Sequence, residues 1–362
     1  MIPVSEPQFS GREEEYVLDA LRSTWVSSSG KYLDQFEAGF ARAVGSRHAI
    51  ALANGTAALH LVLATLDLQP GDEVIVPNLT FIASANTVVH AGGVPVLADV
   101  DPLTWNLSPD SVERMITPRT RAIMPVHLYG NPCDLDALSA LAGARGLEMI
   151  EDAAEAIGTR FRGRHAGVFG RAGTFSFFGN KTLTTGEGGM VITDDDALAA
   201  RMRILKSHGM SVTRKYWFDE IGFNFRMTNL QAAIGCAQLE QLERLLSLKR
   251  RNAALYDSLL SPRFVRQRAQ AHGEHSHWMV CVLVPEGVDR DAFALSLAER
   301  GVDSRPVFYP LSTMPPYARH AFELSPATRA IAAQGVNLPS STRLTEEQIA
   351  FICRAANELI GG

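Results

Sequence analysis

The chemistry in this chain is carried by short stretches that each hold one reactive or binding group. Ser176-Phe177-Phe178-Gly179-Asn180-Lys181 places a lysine in a glycine-containing turn, ahead of Thr184-Thr185-Gly186-Glu187-Gly188-Gly189. A lone loop lysine is ordinarily only solvated. Here the neighbouring Ser176 and the glycine-rich exit suit an amine held for a Schiff base with an aldehyde cofactor. Glu151-Asp152-Ala153-Ala154-Glu155 closes an apolar run. An acidic group there is costly unless it meets a positive partner. A protonated pyridine nitrogen is one such partner, and the carboxylate would then keep the ring an electron sink. Asp152 could equally be a helix cap.

Two further stretches fit the same picture. Asn54-Gly55-Thr56-Ala57 precedes a helical pattern, and a helix N-terminus behind a glycine offers N–H groups to a phosphate. The same residues also make an ordinary turn and cap. Ser176 could reach the same phosphate as Thr56. In Pro77-Asn78-Leu79-Thr80-Phe81-Ile82-Ala83-Ser84 an aromatic follows a strand-like run, and Phe81 could cover a flat ring or simply join the core.

These groups need a frame. Nearly continuous apolar runs at 48–54, 73–77, 94–99, 121–127, 147–152, 172–178 and 189–193 read as strands covered on both faces. Helical patterns lie between several of them, at 56–66 and 135–145. The expectation is an α/β fold: a mostly parallel sheet with helices on both faces, binding its ligand beyond the carboxyl ends of the strands. Thr228 and Gln231 form a capping-box pattern that opens one long helix to about 260. Beyond it, 278–284 and 302–307 read as strands and 291–300 as a helix. Thr345 and Gln348 begin a last helix. The division expected is a large domain over 1–245 with the N-terminal segment, and a smaller α+β domain over 246–362 entered through the long helix.

Composition excludes several classes. The chain has 362 residues, of which 46% are hydrophobic and 20% charged, with a net charge of −5. There is no concentrated basic face for nucleic acid. No run is long and apolar enough to suggest a membrane span, and no signal peptide is visible. Cys133, Cys236, Cys281 and Cys353 are widely spaced, with no CxxC pair, and read as free thiols of a cytoplasmic protein.

Taken in order, these stretches resemble the nucleotide-sugar aminotransferases, which are fold type I, aspartate-aminotransferase-like enzymes using pyridoxal 5'-phosphate (PLP). Gly222-Phe-Asn224-Phe-Arg226-Met-Thr-Asn and His277-Trp278 extend the resemblance over essentially the whole chain. It implies that Lys181 carries PLP, that Asp152 pairs with its ring nitrogen, and that Gly55, Thr56, the Ala57 backbone and Ser176 hold its phosphate. Phe81 would stack on the ring. Asn224 would reach the phosphate of a neighbouring subunit, making the unit a homodimer with shared sites. Many relatives carry Gln or His where Glu155 stands near the phenolic oxygen, so contact there would need a shared proton.

The resemblance also implies glutamate as amino donor and a nucleotide-linked keto sugar as acceptor. Trp25-Val-Ser-Ser-Ser-Gly, Phe178-Gly-Asn-Lys and Pro310-Leu-Ser-Thr-Met-Pro-Pro-Tyr favour the branch that aminates GDP-4-keto-6-deoxymannose over one using UDP- or dTDP-linked sugars. Arg305 and Tyr309 could touch the sugar or its diphosphate, or be an ordinary ion pair and a half-buried ring. Two rivals remain: PLP-dependent sugar deoxygenation, where the family replaces the lysine with histidine, and a non-catalytic PLP or nucleotide-sugar binding protein. His127 has no assignable role.

Overall fold

A computed structural model of the chain describes residues 1–318 and 324–361. Its centre is a seven-stranded sheet in the order His48–Leu52, Gly189–Thr193, Ala172–Ser176, Glu148–Asp152, Thr120–Ile123, Glu73–Pro77 and Val94–Ala98. Every strand expected from the apolar runs is present. Parallel pairing joins the last five strands in that order, and Gly189–Thr193 runs antiparallel to both of its neighbours. The reversal follows from the connection. Residues 177–188 form a return loop without a crossover helix, and a chain that turns straight back can only pair antiparallel.

Side chains alternate across this sheet as strand geometry requires. Ala49, Ala51, Met190 and Ile192 face one core with Phe36, Phe40, Phe175 and Phe177. Ile50, Leu52 and Val191 face the other, with Leu61, Val62 and Met202. Both faces are therefore covered, which is why the strands read as continuous apolar runs. Helix Leu135–Arg145 lies where its periodicity places it, capped by Asp134 and ended by Gly146 in the left-handed region.

The helix expected to run unbroken from Thr228 is two helices, Asn229–Glu240 and Leu242–Leu259, which meet at Gln241. Its start is as read: the Thr228 and Gln231 side chains cap each other's backbone N–H groups. No proline or glycine marks the break. The first helix packs on Glu13–Arg22 and Lys31–Val44, while the second carries Tyr256 into the C-terminal core, so packing sets the bend.

The C-terminal region forms a four-stranded antiparallel sheet in the order Val265–Arg266, Val280–Leu283, Gly335–Leu338, Arg305–Pro306. Of the strand expected at 302–307, Arg305–Pro306 joins this sheet as a strand, while Val302 forms a separate bridge to Ile2. The central partner, Gly335–Leu338, escaped the sequence reading because it follows helix Pro326–Gln334 directly. All four cysteines are buried and free. Among the described residues no helix is long and apolar enough to cross a membrane, and no cluster of His, Cys, Asp or Glu could hold a metal ion.

Candidate active site

One cavity of ≈ 810 Å³ opens at the carboxyl ends of the central strands. Three chain segments build its floor. Strand Glu148–Asp152 ends on Asp152, strand Ala172–Ser176 ends on Ser176, and the return loop brings Lys181 back over both. Helix Gly55–Ala64 starts at the same edge, capped by the Asn54 side chain, which accepts the Ala57 N–H at 2.8 Å. The turn is close-packed. A Cβ on Gly55 would stand 2.9 Å from the Ser176 Cβ, and one on Gly189 would stand 2.3 Å from the Asn54 carbonyl oxygen. Glycine at both positions lets the helix start and the loop exit share one cradle.

Successive acidic residues on strand Glu148–Asp152 part company because their side chains point to opposite faces. Glu151 is fully buried away from the cavity and accepts hydrogen bonds from the N–H groups of Gly167, Phe169 and Gly170. His127 completes the set. Its Nδ1 accepts the Cys133 N–H, so Nε2 carries the hydrogen donated to Glu151 at 3.0 Å. Burial raises the Glu151 pKa, yet the His127 contact and the Gly167 and Gly170 N–H groups outweigh it and hold the carboxyl below its usual range. This answers the open question about His127: it is structural. Replacing it with alanine leaves Glu151 short of a partner in a closed space and should cost about 3 kcal/mol, read as a lower denaturation midpoint. A midpoint equal to that of the unaltered protein would refute that role.

Asp152 faces the cavity and is 5% exposed. Its Oδ2 accepts the Ser84 hydroxyl at 2.8 Å and its Oδ1 accepts the Ala154 N–H at 3.1 Å. Among the described residues it has no ion-pair partner within 4 Å. Burial therefore dominates and raises its pKa. Lys181 is enclosed too, and burial pushes its pKa down against the pull of Glu155 and Asp152. The Lys181 Nζ lies 3.8 Å from Glu155 Oε1 and 3.7 Å above the centre of the Trp278 ring. Burial pushes Glu155 up to about 7. Its other oxygen accepts the Tyr129 N–H at 2.7 Å.

Of the residues singled out in the sequence, Gly55, Thr56, Ala57, Phe81, Asp152, Glu155, Ser176, Lys181 and Asn224 all line this cavity. The Ala57 N–H is already taken by Asn54, leaving the turn at Gly55 and Thr56 to face a ligand. Phe81 is half exposed, its ring 5.8 Å from that of Phe308. Asn224 lines the cavity of its own chain, its Oδ1 held by Arg226. Arg305 and Tyr309 do not line it. Arg305 reaches out to pair with Asp303 at 3.1 Å, and the Tyr309 hydroxyl accepts from Arg290. Arg305 belongs to a two-residue edge strand of the C-terminal sheet, and Tyr309 lies three residues beyond it.

Sequence reasoning missed Ser84, Tyr129 and Phe308, and took Trp278 only as part of a motif. Tyr129 is fully buried with a left-handed backbone (φ 57°), and its ring stacks between Trp278 and Phe308. The Trp278 Nε1–H donates to the Asn180 carbonyl at 2.8 Å, tying the C-terminal sheet to the lysine loop. No periodic signal marks these positions; the ring stack exists only once the C-terminal region is docked.

The residues fit PLP on three counts. A buried carboxylate without a cation, Asp152, awaits a positive group. The Asn180 Oδ1 is buried beside Lys181 without a partner among the described residues. The Gly55–Ser176 contact is a cradle that any Cβ would fill. The amine to carry the aldehyde stands between them.

Comparison with known proteins agrees. The model of the DegT/DnrJ/EryC1/StrS aminotransferase family matches residues 7–357. A GDP-perosamine synthase of Caulobacter vibrioides is 47% identical over 99% of this chain and 98% of its own. The GDP-perosamine synthase of Escherichia coli O157:H7 is 45% identical, over 99% and 98%. Among solved structures, the PLP-form of a putative sugar aminotransferase from Streptococcus pneumoniae superposes with a TM-score of 0.94 at 28% identity, covering 99% of this chain and 98% of that one.

Proposed function

The chain belongs to the DegT/DnrJ/EryC1/StrS aminotransferase family, and from that premise we propose that it moves an amino group from glutamate to the 4-keto carbon of GDP-4-keto-6-deoxymannose, yielding GDP-perosamine. It is an aminotransferase, and its cofactor is PLP. The observation that carries the chemistry is the enclosed Lys181 amine in one cavity with the buried carboxyls of Asp152 and Glu155 and the Gly55–Ser176 cradle. The choice of sugar rests on full-length kinship with GDP-perosamine synthases.

When bound, PLP supplies a ring that draws off the negative charge left when the amino donor's α-carbon loses its proton. The remaining work belongs to the chain. Gly55, Thr56 and Ser176 hold the phosphate at the helix N-terminus. Asp152 keeps a proton on the ring nitrogen, with Ser84 and Ala154 fixing its two oxygens. Phe81 covers one ring face. Lys181 would hold the cofactor through Nζ, and its free amine would move the donor's α-proton, as base and then acid. The steps run backwards with the keto sugar, and the amine ends on its C4.

We also place the domain division near 245. The support is helix Leu242–Leu259: Leu242 and Leu246 pack in the core of the large sheet, and Tyr256 packs in the C-terminal core. A homodimer with shared sites is supported by the exposed apolar side chains of Tyr216, Trp217, Phe218 and Ile221, close in sequence to Asn224. The cytoplasm is the proposed location, and O-antigen or other lipopolysaccharide synthesis the proposed destination of the sugar.

The test offers purified protein glutamate and, in turn, GDP-, UDP- and dTDP-linked 4-keto-6-deoxysugars, following product mass. An aminated sugar from the GDP substrate alone is the expected result. Amination of a UDP- or dTDP-linked sugar instead would discard the GDP assignment and keep the aminotransferase.

A further inference from the structure

Glu155 is unusually placed for a carboxylate. Two successive turns hold it: it follows Asp152 out of the sheet, and the Tyr129 N–H fixes its Oε2, leaving Oε1 turned to the lysine. The Trp278 ring also packs against the Lys181 ammonium, its centre 3.7 Å from Nζ. The side chains of the pair are only 12% and 5% exposed, so water does little to support either charge. Asp152, the other carboxylate at this end, already accepts from Ser84 and Ala154 and stands outside ion-pair distance of Nζ.

We propose that Glu155 is a second proton-transfer residue of this site: it takes a proton from the Lys181 ammonium, leaving a neutral amine and a neutral carboxylic acid, and later returns it. One N–H bond breaks and one O–H bond forms. No other reactant enters, and the net charge of the pair stays at zero. From 3.8 Å the Nζ must close by about 1 Å to reach hydrogen-bond range. Burial disfavours the ionised form of both partners, raising the glutamate to about 7 and lowering the lysine, so the ion pair and the neutral pair approach each other in free energy. The titratable groups facing Glu155 are Lys181, Asp152, Tyr129 and Cys281. Burial raises the last two far enough that they stay protonated through the neutral range. The proposal rests on the aminotransferase reading only for the task it gives Lys181, which must become a neutral amine to take up the cofactor and to act as base.

Glu155→Gln is the discriminating variant. The amide oxygen can still accept the Tyr129 N–H, so a purely structural role would survive. Infrared spectra of the full-length protein between about pH 6 and 8 should show a carboxylic-acid carbonyl band that persists at about pH 8, as the neutral pair requires, grows as pH falls through about 7, and is missing in Glu155→Gln. Absence of that difference overturns the proposal. Should the variant not fold, a titration of the unaltered protein with no such band in that window does the same. In the holoenzyme, single-turnover conversion of the bound cofactor by glutamate should slow by about 100-fold in Glu155→Gln and lose its pH limb near 7. Superimposable pH profiles also overturn it. If glutamate leaves the cofactor spectrum of the unaltered protein unchanged at every pH, the aminotransferase reading fails instead, and the infrared result still decides whether Glu155 carries the proton.

Discussion

Lys181→Ala is expected to lower steady-state transamination by about four orders of magnitude or more, because one side chain performs two tasks. In the proposed mechanism it carries the cofactor and moves the proton between the two carbons that exchange hydrogen; proton transfer by a positioned group alone contributes about 10²- to 10⁴-fold. The fold should tolerate the change. The lysine is enclosed, its ammonium has one ion-pair contact at 3.8 Å, and burial already works against its charge. Glu155, left without its cation, will protonate, since burial has raised it to about 7. The variant should therefore unfold at or above the temperature of the unaltered protein and still retain PLP in the Gly55–Ser176 cradle, but without the lysine-linked visible band. Absorbance, cofactor content and product mass check this together. Turnover within about tenfold of the unaltered enzyme would remove Lys181 from both tasks.

Asp152→Asn is the second large effect, and it isolates charge from shape. The amide is nearly isosteric, and its oxygen can keep one of the two hydrogen bonds from Ser84 and Ala154. What disappears is the negative charge proposed to hold a proton on the cofactor's ring nitrogen. Cofactor should still bind, while turnover falls by about 10²- to 10³-fold, the size seen when one electrostatic stabiliser of a developing charge is removed. The pH dependence has a defined sign. Burial raises the Asp152 pKa, so the unaltered enzyme should lose activity on the acid side as that carboxyl protonates, and the asparagine variant should lack this limb. Near-normal turnover in Asp152→Asn would show that the ring nitrogen does not need this carboxylate.

Much of this was legible before any coordinates. The seven strands of the main sheet are buried on both faces, so each wrote itself as a run of apolar residues. The Thr228–Gln231 and Thr345–Gln348 capping boxes are local hydrogen-bond patterns, and both form as read. Lys181, Asp152, Ser176 and the Asn54 turn could be located because each sits where a strand ends or a helix begins, and strand ends are where such sheets bind ligands. The bend at Gln241 could not be read, since no proline or glycine stands at the junction and the two halves answer to different cores. Arg305 and Tyr309 were attractive by type and neighbourhood, yet in the structure they meet Asp303 and Arg290 and do not line the cavity.

The amino-acid sequence by itself determined the seven strands of the main sheet, the two capping boxes, and most of the residues that could do the chemistry, because these depend on neighbours a few positions away. Only the tertiary structure decided how those residues meet. It set Glu151 into a buried lattice of N–H donors and His127 while Asp152 faced the cavity, and it laid Trp278 over Lys181 from a sheet far along the chain. It also left Glu155, among the described residues, against a single ammonium with one N–H donor. The physical reason is that burial and pairing set the protonation of these groups, and both are properties of the packed interior rather than of any stretch of chain.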